Sequence, residues 1–589
     1  MEMGMNWTHT PLALSALMFA MAAQATPNQA TDAVAPEQAT GFEHKSLVKA
    51  KNWMVTAANP LASEAGASIL RQGGNAIDAM VTTQLMLGLV EPQSSGIGGG
   101  SFLVYWDAKK KALTTFDGRE TAPLNATPEL FLDSTTGQPM KFYDAVVGGR
   151  SVGTPGTVKL LWETHRQYGK LEWARLIEPV AKLAEQGFEV SPRLAALIAE
   201  DKERLGRFPA TKAYFFDAQG EPLTAGTLLK NPDYAATLRA IAQQGASAFY
   251  QGDIAKDIIA TVQNAPGNPG VLAQQDFDTY QVKQRAPVCA AYQSYQVCGM
   301  GLPSSGGLTV GQILALTEQY DLKGWGAQDV KSWQVLGDAS QLAFADRGMY
   351  MADQDYVPVP TQGLLDKTYL AERAKLIQPG KALTSAPAGN PPWHHAQLRS
   401  PDQSIELPST SHFNIVDREG NVVSFTTSIE NAFGSRLLVR GFLLNNELTD
   451  FSFATQSEGR PIANRLEPGK RPRSSMAPTI VLQDNQPYLA IGSPGGSRII
   501  GYVAQALIAH IQWDMDIQAA INQPHVLNRF GEIELEQGTS AEQFKPALES
   551  LGAKVGIKEL NSGLHAIRIT AQGLEGAADP RREGIAIGE

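Results

Sequence analysis

The sequence predicts a layered α/β fold, in which helices pack against sheets. Strand-like alternation and helix-like periodicity recur in both the early and the late parts of the chain. No internal repeat of fixed period is visible. The 589 residues, 43% of them hydrophobic, are too many for a single small core. We therefore expect one large two-part body or two domains.

The first residues predict export. Residues 11–22 form an apolar run that is too short to span a bilayer, and Ala23-Gln24-Ala25 has the small-x-small pattern of a cleavage site. We predict a signal peptide at 1–25 and a periplasmic or secreted protein. The first ten residues contain no Lys or Arg, so a retained N-terminal anchor is the alternative. No other stretch has the apolar length of a membrane helix, and we expect no membrane partner.

Charge and motif content argue against several classes of function. The net charge is -10 and no Lys or Arg run forms a basic stripe, which argues against a nucleic-acid partner. No HExxH motif occurs, so we expect no catalytic metal and no cofactor. The glycine cluster 96–100 is no dinucleotide fingerprint, because Ser101 stands where a third glycine belongs and a strand follows. It is interpreted as a tight turn.

Periodicity places the main elements in order. Residues 54–106 alternate a strand, a helical pattern, the glycine turn and a second strand. Residues 155–260 and 310–350 are mostly helical in pattern. Residues 379–409 are rich in Pro, Ala, Gly and Ser and lack periodicity, so we expect an exposed, mobile segment. Two strand-like runs follow, joined by a hairpin turn at 418–421.

The two cysteines lie in a second predicted hairpin. A two-residue turn at Gln293-Ser294 pairs Tyr292 with Tyr295, and counting outward places Cys289 opposite Cys298. That position is a non-hydrogen-bonded pair, with Cα atoms roughly 4.5 Å apart, inside the disulfide range. A cross-strand disulfide is therefore feasible, and two reduced cysteines are the alternative.

Two short stretches could carry chemistry. Gly495-Gly496 lies between an apolar strand and a helical pattern, so its N–H groups could stabilise an oxyanion, although a plain structural turn is the alternative. Thr410 follows the Pro-rich segment and precedes a strand. A threonine becomes an effective nucleophile when it is the first residue of a chain, because its own α-amine then accepts the hydroxyl proton. That role requires cleavage between Ser409 and Thr410.

The sequence resembles the γ-glutamyltransferase family of N-terminal nucleophile hydrolases over nearly everything after residue 50. The resemblance is carried by ordered stretches: NPLASEAGASILRQGGNAIDAMV, GIGGGSFLVYW, FDGRETAP, GTPGT, LPSSGG, TSHFNIVDREGNVVS, FLLNNELTDFS, KRPRSSMAPTIV and GSPGGSRII. It implies a four-layer αββα sandwich built from two subunits of one precursor.

The resemblance also implies how the precursor matures. Thr410 attacks the Ser409 carbonyl, which leaves a large subunit, 26–409, and a small catalytic subunit, 410–589, that stay associated. The freed Thr410 then cleaves a small-molecule γ-glutamyl donor, such as a glutathione-like compound, and an amine, a peptide or water accepts the acyl group.

The family's site residues transfer to matching positions of this chain. Gly495 and Gly496 match its oxyanion-hole glycines, and Ser428 matches a hydroxyl that positions the nucleophile. The resemblance assigns the substrate α-carboxylate to Arg119, Ser474 and Ser475. It assigns the α-ammonium to Glu447, Asp450 and, where the family has asparagine, Glu430.

Two departures bear on specificity. Glu430 adds an acid near the ammonium site, which either tightens amine binding or is neutralised by Arg436 or Arg440. The segment between Asp450 and Lys470 is shorter than the lid loop of glutathione-handling bacterial members, which implies a more open cleft. A glutaryl or cephalosporin-type acylase on the same scaffold is therefore an alternative, as is an uncleaved, inactive binding protein.

Overall fold

The computed structural model describes Met1, Ala39 and residues 41–394, 399–402, 404 and 406–589. The predicted signal peptide lies outside the described residues, except for Met1. Within these ranges no helix is both long enough and apolar enough to cross a membrane.

The strands of the described ranges, numbered in chain order, are β1 (Val48–Ala50), β2 (Met54–Ala57), β3 (Gly100–Asp107), β4 (Ala112–Gly118), β5 (Phe188–Glu189), β6 (Leu228–Leu229), β7 (Lys283–Arg285), β8 (Val288–Tyr292), β9 (Tyr295–Gly299), β10 (Ser411–Val416), β11 (Val422–Ser428), β12 (Leu438–Val439), β13 (Phe442–Leu443), β14 (Gln456–Ser457), β15 (Arg460–Pro461), β16 (Thr479–Gln483), β17 (Gln486–Gly492), β18 (Val526–Asn528), β19 (Glu532–Glu536), β20 (Lys554–Lys558), β21 (His565–Thr570), β22 (Gly573–Ala578) and β23 (Ile585–Gly588).

The α-helices of the same ranges are α1 (Pro60–Arg71), α2 (Ala76–Val90), α3 (Phe142–Val146), α4 (Thr157–Tyr168), α5 (Trp173–Gln186), α6 (Pro192–Glu200), α7 (Lys202–Leu205), α8 (Pro209–Phe215), α9 (Pro232–Gln244), α10 (Ser247–Tyr250), α11 (Asp253–Gln263), α12 (Gln274–Thr279), α13 (Gly306–Thr317), α14 (Leu322–Trp325), α15 (Val330–Tyr350), α16 (Thr361–Leu364), α17 (Lys367–Ala374), α18 (Ile499–Ile511), α19 (Ile517–Asn522) and α20 (Lys545–Ser550). Short 3₁₀ turns lie at Gly149–Ser151, Glu447–Asp450, Gly496–Arg498 and Ser540–Phe544.

Two seven-stranded antiparallel sheets form the centre of the molecule. Sheet I has the order β1-β22-β21-β17-β16-β9-β8, and sheet II has the order β23-β2-β10-β11-β3-β4-β7. The sheets face each other, with β10 and β11 of sheet II packed on β17 and β21 of sheet I. Helices α2 and α4 cover sheet II, and α13 and α18 cover sheet I. This arrangement is the predicted four-layer αββα sandwich.

Every residue of β10 is buried, because a central strand of the sandwich is covered on both faces. The neighbours of β10 come from both ends of the chain. β2 and β3 precede residue 409, while β11 and β23 follow it, and β10 itself is hydrogen-bonded between β2 and β11. Segments from either side of the predicted cleavage position therefore interleave within one sheet.

The helical pattern that follows β2 forms two helices. Asn59 caps the N-terminus of α1 by accepting from the Leu61 N–H. Gly73 has a φ of +87° and ends that helix. Asn75 and Asp78 then form a capping box that starts α2. The caps and the glycine explain why one periodic stretch divides there.

The cysteine hairpin has the predicted register. β8 and β9 pair antiparallel, with Tyr292 opposite Tyr295 and Cys289 opposite Cys298. The two cysteines are joined by a disulfide, and their Cα atoms are 4.0 Å apart.

The predicted exposure of the Pro-rich segment is wrong for its C-terminal end. Arg399, Ser400, Asp402, Ser404, Glu406, Leu407 and Ser409 are all buried. In the uncut chain this end continues directly into β10, which begins at Ser411. It is covered there by the β14–β15 hairpin, whose Pro461 O accepts from the Ser400 N–H at 3.2 Å.

Candidate active site

The site forms around the peptide bond between Ser409 and Thr410. The turn between β10 and β11 sets a register in which Ser411 lies opposite Thr427, so Ser428 lies across from Thr410. The Thr410 Oγ1 and Ser428 Oγ atoms are 3.2 Å apart. Both hydroxyls donate to the Ser409 carbonyl oxygen, at 2.7 Å from Thr410 and 2.8 Å from Ser428.

The Ser428 hydroxyl is oriented by its own neighbours. It accepts a hydrogen bond from the Glu430 N–H at 2.9 Å, so its proton is free to point at the Ser409 carbonyl. A Cβ at Gly99 would come within 2.1 Å of the Ser428 carbonyl oxygen. The predicted glycine turn is thus needed here for the close approach of two backbones. The arrangement polarises one buried carbonyl beside one buried hydroxyl.

A cluster of charged side chains lies next to Thr410, and its members were assigned above to the substrate's α-carbon groups. Arg119 binds Glu447 through Nη1 and Asp450 through Nη2. It also donates to the carbonyl oxygens of Pro472 and Arg473, at 3.2 and 3.0 Å. Four of its five donors are therefore used within the protein.

The acids of this cluster are buried. Burial, more than any charge, raises the pKa of Glu447 and raises the pKa of Asp450 well above its ordinary value. Among the described residues the Asp450 Oδ1 atom is buried without a hydrogen-bond partner. Asp450 lines a small cavity with Thr410 and Ser428. A cationic ligand in that cavity would compensate for this buried acceptor.

Glu430 is engaged with the backbone of the uncut chain. Its Oε1 accepts from the Leu407 N–H at 3.1 Å, and its Oε2 accepts from Asn446 Nδ2 at 2.5 Å. Burial, followed by the charge of Glu447, raises the pKa of Glu430 to about 8. Its φ of +76° lies in the left-handed region, which glycine and asparagine tolerate better than glutamate.

Neither predicted arginine neutralises Glu430. Arg436 forms a two-pronged ion pair with Asp201, at 2.8 and 3.1 Å. Arg440 binds Asp257 at 2.5 Å. The extra acid is therefore held by amide donors, and it keeps its place beside the cluster.

Of the two predicted oxyanion-hole glycines, Gly496 lies against the segment that precedes the predicted cleavage position, whereas Gly495 lies against Tyr502. Their φ values are +134° and +57°, and a 3₁₀ turn follows before α18 begins. A Cβ on Gly496 would come within 2.3 Å of the Glu406 carbonyl oxygen and 2.7 Å of the Leu407 carbonyl carbon. Gly496 also lines the cavity with Thr410.

Ser474 and Ser475 have different partners. The Ser474 hydroxyl accepts from the Met476 N–H at 3.1 Å. Ser475 donates through its N–H and its hydroxyl to the carboxylate of Glu406, at 2.6 and 3.0 Å. Arg347 binds the same carboxylate through Nη2 at 2.5 Å.

The sequence interpretation did not single out Glu120, Arg347 or Glu406. The carboxyl of Glu120 is buried beside Glu447, and burial raises its pKa well above the ordinary value. Arg347 lies in α15, whose middle is buried on all sides. Arg347 has no distinctive sequence signal, because the same helix also contains Asp338, Asp346 and several uncharged polar residues. Glu406 has none either, because the polar, Pro-rich composition around it predicts an exposed segment.

The chain is similar to known proteins over most of its length. The model of the family described as Gamma-glutamyltranspeptidase matches residues 62–589. The glutathione hydrolase proenzyme of Bacillus subtilis (strain 168) is 38% identical over 561 residues, which cover 93% of each chain. The glutathione hydrolase proenzyme of Escherichia coli (strain K12) is 35% identical over 566 residues, covering 93% of this chain and 94% of that one.

A solved structure is similar over almost the whole chain. The crystal structure of cephalosporin acylase from Bacillus halodurans superimposes with a TM-score of 0.81 at 26% identity. The match covers 94% of this chain and 99% of that chain.

Proposed function

Because the chain belongs to the gamma-glutamyltranspeptidase family, we propose that it is a precursor that cuts itself between Ser409 and Thr410 and then hydrolyses or transfers γ-glutamyl groups. One observation carries the proposal. The Thr410 hydroxyl lies 2.7 Å from the oxygen of the preceding carbonyl, and a second hydroxyl donates to the same oxygen. The catalytic part is then the small subunit 410–589, bound to the large subunit 26–409.

Self-cleavage is an acyl shift from nitrogen to oxygen. Thr410 Oγ1 attacks the Ser409 carbonyl carbon, its hydroxyl proton passes to the amide nitrogen and the C–N bond breaks, which leaves an ester and a free α-amine on Thr410. Ser428 donates to the carbonyl oxygen while that oxygen gains negative charge. Water hydrolyses the ester, so Ser409 ends in a carboxylate and the Thr410 hydroxyl is restored.

Turnover repeats this chemistry on a donor. The Thr410 α-amine takes the hydroxyl proton as Oγ1 attacks the γ-carbonyl of the donor. The N–H groups of Gly495 and Gly496 stabilise the tetrahedral oxyanion, and the leaving amine takes the proton back. Water or a second amine then attacks the acyl-threonine ester.

The charged cluster supports a γ-glutamyl acyl group. We assign the α-ammonium to Asp450, with Glu447 and Glu430 beside it, because Asp450 offers a buried acceptor oxygen at the cavity. We assign the α-carboxylate to Arg119, Ser474 and Ser475. The relatives named glutathione hydrolase make a glutathione-like compound the expected donor.

A glutaryl-type acylase is the second candidate, and the similarity to a cephalosporin acylase favours it. A glutaryl group keeps the terminal carboxylate and lacks the amine. Purified, cut protein should therefore be assayed with γ-glutamyl and glutaryl p-nitroanilides. We expect faster release from the γ-glutamyl compound, and Asp450→Asn should remove that preference by losing the ammonium partner. Release from the glutaryl compound alone would overturn the proposal.

Export is the last part of the proposal, and it is supported by the apolar run and cleavage pattern in the first 25 residues. Cell fractionation of the native host protein, with N-terminal sequencing of the large subunit, tests it. A large subunit that begins after Ala25 and is found outside the cytoplasm is the expected result.

A further inference from the structure

The residue after the proposed nucleophile is tied to the end of helix α2. Ser411 Oγ donates to Glu91 Oε2 at 3.0 Å, and Ser95 Oγ donates to Ser411 Oγ at 3.2 Å. A hydroxyl that accepts from one partner keeps its own proton for another, so the Ser411 proton points at the carboxylate. Glu91 is 1% exposed and Ser411 is 0% exposed. The contact is therefore shielded from water.

Strand geometry explains why this contact acts on Thr410. Thr410 lies one residue before β10, and Ser411 is the first residue of that strand. Because side chains alternate along a strand, Ser411 faces the helix layer, where Glu91 follows α2, while Thr410 lines the cavity. A hydrogen bond at the Ser411 side chain therefore holds the backbone next to Thr410 from behind the site.

The loop that begins at Glu91 contacts both sides of the proposed cleavage position. Besides the contact of Glu91 with Ser411, the Gln93 carbonyl oxygen accepts from Ser409 Oγ at 2.8 Å. Once the chain is cut, Ser409 ends the large subunit, so its contact with Gln93 no longer restrains Thr410. The Ser411–Glu91 contact does not depend on the cut bond, and it joins the small subunit to α2.

A freed chain end needs such a contact. The first residues of a chain are poorly ordered unless they are tied down, and acyl transfer slows steeply when the nucleophile is misplaced. Arg582 Nη1 donates to the Thr410 carbonyl oxygen at 3.4 Å, which is long for a hydrogen bond. The shorter, buried contact between Ser411 and Glu91 is the stronger of these two restraints.

The carboxyl of Glu91 is costly to keep where it lies. Burial raises its pKa to about 7; the positive charges of Arg193 and Arg582 offset this only in part, and the charge of Glu583 adds to it. A carboxylate at the C-terminal end of a helix also meets the negative end of the helix dipole. The second carboxyl oxygen, Oε1, is buried without a hydrogen-bond partner among the described residues. A buried acid kept at such a cost beside a proposed nucleophile is typical of a group with a function.

We propose that Glu91 is a positioning residue, which holds Thr410 in place through Ser411 after the chain is cut. The inference rests on the proposed self-cleavage and acyl transfer, and it adds a role for the large subunit at the nucleophile. Before cutting, the covalent bond to Ser409 also restrains Thr410. Loss of Glu91 should therefore slow turnover more than it slows self-cleavage.

Glu91→Ala, Ser411→Ala and the double variant test the contact. As cut proteins they are assayed with γ-glutamyl p-nitroanilide, and self-cleavage is followed separately on denaturing gels. We expect each single variant to lower kcat/KM by about tenfold and to slow self-cleavage by less than about threefold. Both single changes remove the same hydrogen bond, so the double variant should lose about as much as either one. The inhibition constant of free L-glutamate should not change, because Glu91 does not bind the donor.

Two further variants separate positioning from stability. Glu91→Gln keeps an acceptor oxygen for Ser411, so its kcat/KM should lie within about threefold of the wild-type value. Thr82→Ala is the matched control, because it removes a buried hydroxyl of α2 that donates to the Leu176 carbonyl oxygen at 2.8 Å, within the large subunit. This control should lower Tm and leave kcat/KM unchanged.

Several results would overturn the proposal. These are a wild-type kcat/KM in cut Glu91→Ala, a self-cleavage that is slowed or lost as much as turnover in the folded variant, a Glu91→Gln variant as slow as Glu91→Ala, and single effects that multiply in the double variant. If Glu91→Ala does not fold, Ser411→Ala carries the test, because it removes only one hydroxyl. An unchanged kcat/KM in cut Ser411→Ala would overturn the proposal equally.

Failure of the proposed function gives a different pattern, because it is seen in the wild-type protein. If that protein is cut and cleaves glutaryl but not γ-glutamyl anilides, the γ-glutamyl assignment falls. The same variants are then compared with the glutaryl donor, and with glutarate as the inhibitor. A wild-type chain that stays uncut would overturn the proposed self-cleavage, and the role of Glu91 would fall with it.

Discussion

The Ser428 hydroxyl donates to the Ser409 carbonyl oxygen at 2.8 Å and lies 3.2 Å from the Thr410 hydroxyl. The first contact lies on the carbonyl of the bond that we propose is cut, and the second lies on the proposed nucleophile. We therefore predict that the Ser428 hydroxyl serves both self-cleavage and turnover.

Ser428→Ala should slow self-cleavage by about tenfold or more, because a carbonyl that gains negative charge would lose a donor worth about 1–3 kcal/mol. Ser428→Thr should keep most of the rate. The measurement is the ratio of intact to cut chain on denaturing gels over time after synthesis.

Ser101→Ala is the matched control for this substitution. Ser101 is a buried serine on the neighbouring strand β3, opposite Thr427, and its hydroxyl has no hydrogen-bond partner among the described residues. Equal rates in the two alanine variants would exclude a role for the Ser428 hydroxyl.

Thr410→Ala should leave a single uncut chain, because the nucleophilic hydroxyl is gone. Wild-type protein should yield a fragment that begins Thr-Ser-His-Phe. Intact-mass analysis and N-terminal sequencing distinguish the two. An uncut wild-type chain would instead support the inactive binding protein.

Gly496→Ala should impair cleavage, because the added Cβ would come within 2.3 Å of the Glu406 carbonyl oxygen and displace the segment that carries the cleavage position. Gly538→Ala is the control variant, which measures the effect of backbone strain at a positive φ without a clash. Gly538 has a φ of +74° and open space around it, so alanine there meets the same strain, of about 1 kcal/mol, without the clash. Cleavage of both variants at the wild-type rate would argue against the close approach.

Glu430 should make the stability of the uncut chain depend on pH. Its pKa of about 8 in the folded protein exceeds the ordinary value of 4.5, so the folded state holds the proton that the unfolded state releases. This stability is fully present below about pH 4.5 and is lost as pH rises through 8.

The thermal midpoints of two uncut variants, Thr410→Ala and Thr410→Ala/Glu430→Gln, should therefore differ by an amount that changes with pH. Gln cannot ionise, so the double variant should become relatively more stable as pH rises from 5 to 8, by at most about 1.4 kcal/mol per pH unit. A constant difference in Tm over that range would show that Glu430 is not protonated in the fold.

The Cys289–Cys298 disulfide should stabilise the edge of sheet I, because β8 is its terminal strand. Replacing both cysteines by serine should cost about 2–3 kcal/mol, from the entropy of a short loop. Wild-type Tm should fall with reductant, whereas the Tm of the double variant should not respond. A wild-type Tm that does not change when reductant is added would indicate that the two cysteines are already reduced.

Local patterns predicted the framework of the site. The turn at 418–421 fixes the β10–β11 register, and that register alone places Ser428 across from Thr410. The cysteine pair follows from the same kind of counting. Periodicity and turn residues act over a few positions, so they are readable from one sequence.

Contacts between residues far apart in the sequence could not be predicted from such local patterns. Arg119 binds Glu447, 328 positions away, and Arg347 binds Glu406 across 59 positions. No short-range pattern encodes such partners. Burial of Glu406 depends on a partner of this kind, and the polar, Pro-rich composition around it gives the opposite expectation.

Sheet II carries a further consequence, because β10 is hydrogen-bonded between strands that precede residue 409 and strands that follow it. Cutting the chain at 409–410 breaks one covalent bond and leaves every strand pair in place. The two halves are then held together by interleaved strands, and separating them requires breaking the hydrogen bonds of sheet II. If the chain is cut as proposed and then denatured, each half would have to find its partner by diffusion. We therefore expect the persistence of the cut protein to depend on how slowly its two chains separate.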